Sequence, residues 1–185
     1  MIKTDRLLLR RWRDQDIEDY AALNADARVM QFFPSTYSVE ESSLQIERFN
    51  KSIDDLNLGF WAAELLETGR FIGFIGLNSQ PSGLPISPCV EIGWRLAADV
   101  WRQGLASEGA IAVLKYAFIE LELDEVVSFT STLNVASQGV MKKIGMHKQA
   151  ATFFHPRVDS ASPLAEHVVY RLSRQVWQKY NDLNC

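Results

Sequence analysis

Residues 89–132 read CVEIGWRLAADVWRQGLASEGAIAVLKYAFIELELDEVVSFTST. Cys89 to Ala97 predicts a strand. Ala106 to Glu122 predicts a helix, with Ala110, Ile111, Leu114, Ala117, Phe118 and Leu121 on one face. Glu125 to Thr132 is β-branched and aromatic, a second strand. Strand, helix and strand in that order predict one right-handed crossover joining a parallel pair.

Working outward, Arg6 to Trp12 predicts a first strand and Asp16 to Asn24 a helix. Ser38 with Glu41 three residues later is a capping-box signature for a second helix running to about Leu56, with Leu44, Phe49 and Ile53 as its apolar stripe. Gly59 to Glu67 and Arg70 to Gln80, joined by Thr68-Gly69, predict a hairpin, and the Cys89 strand joins it as an antiparallel neighbour. Downstream, a short helix from Ser137 to Ile144 stops at Gly145, with Met146 placed for the apolar contact of a Schellman ending. HKQAATFFHP and EHVVYRLSRQVW then predict two further strands, paired across a loop. The expected fold is α/β (α+β): a mixed, mostly antiparallel central sheet with one parallel pair, flanked by about four helices. It forms one domain over residues 1–185 and is not a doubly wound nucleotide-binding sheet.

A chain of 185 residues suffices for one substantial core and is short for two. Its opening, MIKTDRLLLRRWRDQD, flanks three leucines with charges, and no run approaches the roughly 20 apolar residues of a membrane span. A cytoplasmic protein without membrane contact is expected. Cys89 and Cys185 predict free thiols, and His147, His155 and His167 lack metal-ligand spacing, so no metal is expected. A net charge of −4 argues against nucleic acid as a partner. The charge is uneven: Asp14 to Asp55 holds ten acids against three bases, a solvated helix surface that would also suit a cationic acceptor if it bordered a cleft.

Chemistry concentrates in WRQGLASEGA, residues 101–110. Gly104 sits just before the helix, so the backbone N–H groups of Gln103 to Ser107 are the unpaired donors of a helix N-terminus, which attracts anions. Arg102, Gln103 and Ser107 add side-chain donors. The spacings Gly-x-x-x-x-Gly-Lys-Ser/Thr, Gly-x-Gly-x-x-Gly and Gly-x-Ser-x-Gly are absent from this stretch, which disfavours a P-loop, a Rossmann fingerprint and a hydrolase elbow.

Read with EIGWRL upstream, TSTLNVASQGVMKKIGM downstream and the opening TDRLLLRRWRDQD, the chain from Thr4 to about Tyr170 resembles the GNAT superfamily of N-acetyltransferases, in the branch of the RimJ and RimL ribosomal-protein N-terminal acetyltransferases. The resemblance implies acetyl-CoA as cosubstrate and direct transfer of acetyl, in a ternary complex, to a primary amine: a protein N-terminus or a small amine. It implies that Trp94, Arg95 and Leu96 bond the pantetheine arm, that Arg102, Gln103, Gly104, Leu105, Ala106 and Ser107 cradle the pyrophosphate, and that Asn134 contacts the cofactor. Trp101 stands where the family signature carries Gln or Arg, and Met141 where many relatives carry a tyrosine acid.

Ser137 is the candidate replacement acid, or else a helix-capping serine. Glu91 is the candidate base or a structural acceptor, depending on which strand face lines the cleft, and the Leu96 N–H is the expected polariser of the thioester carbonyl. Phe32, Phe33 and Tyr37 suit an acceptor pocket or a hydrophobic staple, and the loop Pro156 to Glu166 would close over the acceptor. Cys89 beside His147 or His155 reads as a nucleophile far less readily than as a small buried hydrophobe. A second function class, an acyl-CoA-binding sensor or scaffold without turnover, is motivated by Met141. A homodimer is the expected assembly.

Overall fold

Leu7 and Leu9 are fully buried on one side of a short strand while Arg10 is buried on the other, so this strand is covered on both faces. In the computed structural model, which describes residues 1–182, that strand is β2 (Leu7–Arg10), preceded by a two-residue β1 (Ile2–Lys3). Helices α1 (Asp16–Ala25), α2 (Ala27–Met30) and α3 (Val39–Leu56) follow. Next come β3 (Phe60–Leu65), β4 (Phe71–Gln80), β5 (Cys89–Leu96), α4 (Leu105–Lys115) and β6 (Glu125–Ser131). The chain continues through α5 (Val135–Lys143), β7 (His147–Phe154), β8 (Glu166–Ser173) and α6 (Arg174–Asp182).

The eight strands form one sheet in the order β1-β2-β3-β4-β5-β6-β8-β7, antiparallel except for β5 against β6. Alternation along the strands separates two apolar layers. Leu7, Trp61, Ile75 and Ile92 pack with Ala110 and Leu114 of α4, while Phe71 and Phe74 pack with Trp12, Tyr20 and Ile46 under α1 and α3. Helix α4 lies so close that a Cβ at Gly109 would come within 2.3 Å of the Ile75 Cδ1.

The capping box at Ser38 and Glu41 forms as the sequence indicates, and α5 ends in the Schellman pattern, with Met146 N–H donating to the Met141 carbonyl and Gly145 N–H to that of Lys142. Several details differ from expectation. Among the described residues six helices are present rather than about four, the additional ones being the short α2 and the terminal α6. The strand expected through Trp177 ends at Ser173, whose Oγ accepts the Val176 N–H and starts α6, and Trp177 packs on Phe118. The long helix after Gly104 gives way at Tyr116 to a wider turn through Glu120. Ile111 faces solvent, as does Leu44; the buried stripe of α3 runs through Ser42, Ile46, Phe49 and Ile53. Among the described residues no helix is long and apolar enough to cross a membrane. Cys185 lies outside the described residues.

The acidic run is not wholly solvated either. Asp16 is buried and bidentate to Arg10 at 2.7 and 2.8 Å, and Arg10 also bonds Glu64 at 2.7 Å. Removing one partner strands a buried charge, at a cost of about 3–5 kcal/mol. Asp16→Ala should lower the melting temperature by roughly 6–15 °C for a domain of this size, read by calorimetry; a loss under 2 °C would refute this assignment.

Candidate active site

Strands β5 and β6 touch at the pair Glu91 and Val127 and then part, leaving the second half of β5 with an open edge. Main-chain groups alternate along that strand. Ala97 N–H bonds the Ile72 carbonyl beside β4, whereas the carbonyls of Ile92 and Leu96 accept from Ser128 Oγ (2.9 Å) and Trp101 Nε1 (2.8 Å) on the other side. The backbone of Trp94 and Leu96 therefore faces the cleft. Arg95 is a correction to expectation: its backbone faces β4 opposite Phe74, and its side chain runs to the opposite layer from α4.

Past β5 the chain turns through Arg102 (φ 60°) and Gly104 (φ 80°) into α4, whose first backbone bond is Glu108 N–H to the Gly104 carbonyl. The N–H groups of Leu105, Ala106 and Ser107 therefore open toward the cleft mouth. A Cβ at Gly104 would point at Arg6 Nη2 (3.6 Å) and Lys143 Nζ (4.0 Å), so glycine keeps a space open between helix start and two cations. Arg6 is fixed there by Glu108 at 2.6–2.7 Å and by the Gln103 carbonyl at 3.0 Å. Neither Arg6 nor Lys143 was anticipated, since no local pattern marks residues that meet across the fold. The Gln103 side chain folds back onto the Asp99 carbonyl instead of reaching outward.

Asn134, not Ser137, caps α5: its Oδ1 accepts the Ser137 N–H and its Nδ2 donates to Thr130 Oγ1, both at 3.1 Å. Both ends of the carboxamide are thus engaged structurally. Met141 is fully buried beside Met146 in the core.

Glu91 stands opposite Asn78, on the face shared with Gly93 and Phe60, toward α1 and α3. It is half-buried, and desolvation raises its pKa to about 6 against the pull of Gln80, Asn78 and Arg157. Gln80 Nε2 donates to its carboxylate at 3.0 Å. A cavity of about 560 Å³ adjoins it, lined by Tyr37, Gln45, Arg48, Phe60, Asn78 and Arg157. Of the three aromatic residues expected here, Tyr37 lines this cavity, Phe33 packs on Arg95, and Phe32 is half-buried without lining it. A hydrophobic staple does not form, because the residue four after the cap is Ser42.

His155 and His167 stack at 4.9 Å beside Phe129 and Phe153, and burial lowers the His155 pKa to about 4. His155 Nδ1 accepts the Arg157 N–H at 3.2 Å. Among the described residues Cys89 is hydrogen-bonded to neither His147 nor His155, and burial raises its thiol pKa, the reverse of what a nucleophile needs.

A family model described as "Acetyltransferase (GNAT) domain" matches residues 6–147. The FsC-acetyl coenzyme A-N(2)-transacetylase of Aspergillus fumigatus is 40% identical over 147 residues, 75% of this chain and 60% of that protein. The crystal structure of a GNAT-family acetyltransferase from Bacillus anthracis superposes with a TM-score of 0.78 at 24% identity, covering 94% of this chain and 98% of that one. Spermidine N-acetyltransferase from Vibrio cholerae, in complex with CoA and spermine, gives 0.72 at 18% identity over 93% and 98%. The family match takes in the parted strands, the glycine turn and α5 together, and the chain belongs to the GNAT family, as an acetyl-CoA-dependent N-acetyltransferase.

Proposed function

We propose that the chain acetylates a primary amine by direct attack in a ternary complex, with Glu91 as base. The observation that carries this reading is the division of labour on β5, whose backbone edge is open beyond Glu91 while Glu91 itself stands beside Asn78, a lining residue of the neighbouring cavity. Acetyl-CoA, when bound, supplies the acetyl thioester. The N–H groups of Leu105, Ala106 and Ser107 hold its pyrophosphate over Gly104, with Arg102, Lys143 and Arg6 adding charge. The Trp94 and Leu96 backbone receives the pantetheine arm, and the Leu96 N–H polarises the carbonyl that the amine attacks.

An ammonium must lose its proton before attack, and a carboxylate whose pKa lies near 6 is ionised at neutral pH yet basic enough to relay that proton. Ser137 sits in the first turn of α5 with its hydroxyl free of the capping role, and serves as the acid for the departing thiolate. The acceptor is a protein N-terminus or a small amine held in the Tyr37 cavity.

Measurements on the wild type and on three variants test these assignments. In the wild type, log kcat/KM should fall more steeply below about pH 6, where Glu91 takes up a proton. Glu91→Gln should remove that steepening and lower kcat by roughly a hundredfold; an unaltered pH profile would take Glu91 out of the reaction. Ser137→Ala should lower kcat by roughly a hundredfold with acetyl-CoA affinity retained, and full turnover would leave the hydroxyl without a role. Gly104→Val, checked for cooperative unfolding, should weaken acetyl-CoA binding at least about tenfold by calorimetry, since its side chain enters the cradle; undiminished affinity would sink the cradle. Stabilisation by acetyl-CoA without thiol release across a broad amine panel would favour a sensor instead.

A further inference from the structure

We infer that the acceptor carries a carboxylate near its amine and that Arg48 and Arg157 bind this group in the Tyr37 cavity; the inference rests on the acetyl-transfer reading above. The acid-rich sequence between Asp14 and Asp55 suggests the opposite, a cationic acceptor, but the fold directs those acids elsewhere. Asp16 is buried against Arg10, Asp26 pairs with Arg28, Asp54 with Arg11 and Asp55 with Lys51. Asp14, Glu18, Asp19, Glu40 and Glu47 are exposed and do not line this cavity.

The charged residues lining the cavity are Glu41, Arg48 and Arg157. Glu41 is already engaged, accepting the Ser38 N–H at 2.7 Å in the capping box. Neither arginine belongs to an ion pair among the described residues. Behind Tyr37 lies a third guanidinium, Arg95, 9% exposed and unpaired with any carboxylate. It lies 4.2 Å from the Phe33 ring centroid, donates to Asn24 Oδ1 at 2.6 Å, and leaves its Nε without a partner. An arginine keeps its charge even when buried, so three guanidiniums stand at or behind this wall against one lining carboxylate, Glu41. Glu91, beside the lining residue Asn78, is the base in the acetyl-transfer reading, and its carboxylate already accepts from Gln80 Nε2.

Arg157 is also well placed to recognise rather than merely attract. Its backbone N–H is bound to His155 Nδ1, and His155 N–H in turn to the Ala165 carbonyl at 2.8 Å, which anchors the loop end to the sheet. Planar guanidiniums suit a carboxylate, and a cavity of about 560 Å³ suits a small molecule. A diamine would set its second ammonium against the same arginines.

The test uses the full chain with acetyl-CoA and a matched series: amino acids from glycine to 6-aminohexanoate, alkylamines of equal length, and the corresponding diamines. The best carboxylate acceptor should exceed its matched alkylamine and diamine in kcat/KM by at least roughly tenfold. Arg48→Gln and Arg157→Gln should bring that ratio toward one. Diamines equal to or better than the amino acids would overturn the inference while leaving acetyl transfer standing. Calorimetric titration of the CoA-saturated protein with the same amino acids reads the site without turnover. Binding lost in Arg157→Gln but with no acetylation of any amine would uphold the carboxylate site and reject the transfer reading; binding unchanged in both variants would reject the site.

Discussion

Strand β5 is hydrogen-bonded to β4 from Cys89 to Leu96 but meets β6 only at Glu91 and Val127, and this asymmetry organises the molecule. Its paired edge makes it rigid, its free edge offers backbone to a ligand, and its two faces feed separate cores. Because side chains alternate along a strand, Glu91, Gly93 and Arg95 share the face beneath α1 and α3, while Ile92 packs beneath α4. A slip of one residue would exchange the two sets and put an arginine and a glutamate into the apolar layer with Leu114. The antiparallel register with β4 fixes the position of the chemistry.

The polar side chains on that face show how charge is placed by the fold rather than by local composition. Arg10 and Asp16 are close in sequence and buried as a pair. Among the described residues Arg95 is buried without a carboxylate partner, and ring faces, the Tyr37 hydroxyl and one amide oxygen surround its charge. Burial without a countercharge is costly, so the site keeps a cation in a position where an aliphatic side chain would pack more cheaply. The ten acids of the first third end on exposed helix turns, in ion pairs or in a cap, and so their sum does not describe the cavity.

Much of the fold was legible because its signals are local. The crossover around Gly104, the capping box at Ser38 and the Schellman ending at Gly145 each lie within a few residues whose spacing has one physical explanation. The glycine turn into α4 was legible for the same reason. Arg6, Lys143, Arg48 and Arg157 were invisible because each reaches its site from a different element, with no periodicity to mark it. A contiguous Trp-Arg-Leu reads as one contact surface, but strand alternation sends the backbone and side chain of Arg95 the opposite way from those of its neighbours. Helix α6 was missed because valine and tryptophan suit a strand until Ser173 supplies a cap.

Trp101 departs from the family signature in a way the geometry explains. Its indole N–H is bound to the Leu96 carbonyl, and Ser128 binds that of Ile92 in the same manner. Two carbonyls along the open edge of β5 are therefore already engaged by the protein, which leaves the carbonyl of Trp94 and the N–H groups of Trp94 and Leu96 for a ligand. An edge so altered keeps its N–H donors while fewer of its acceptors stand bare, and donors are what an acyl carbonyl requires as negative charge builds on its oxygen. Tryptophan turns its one side-chain donor inward and fixes the end of β5. The indole thus ties the end of β5 to the turn that leads into α4.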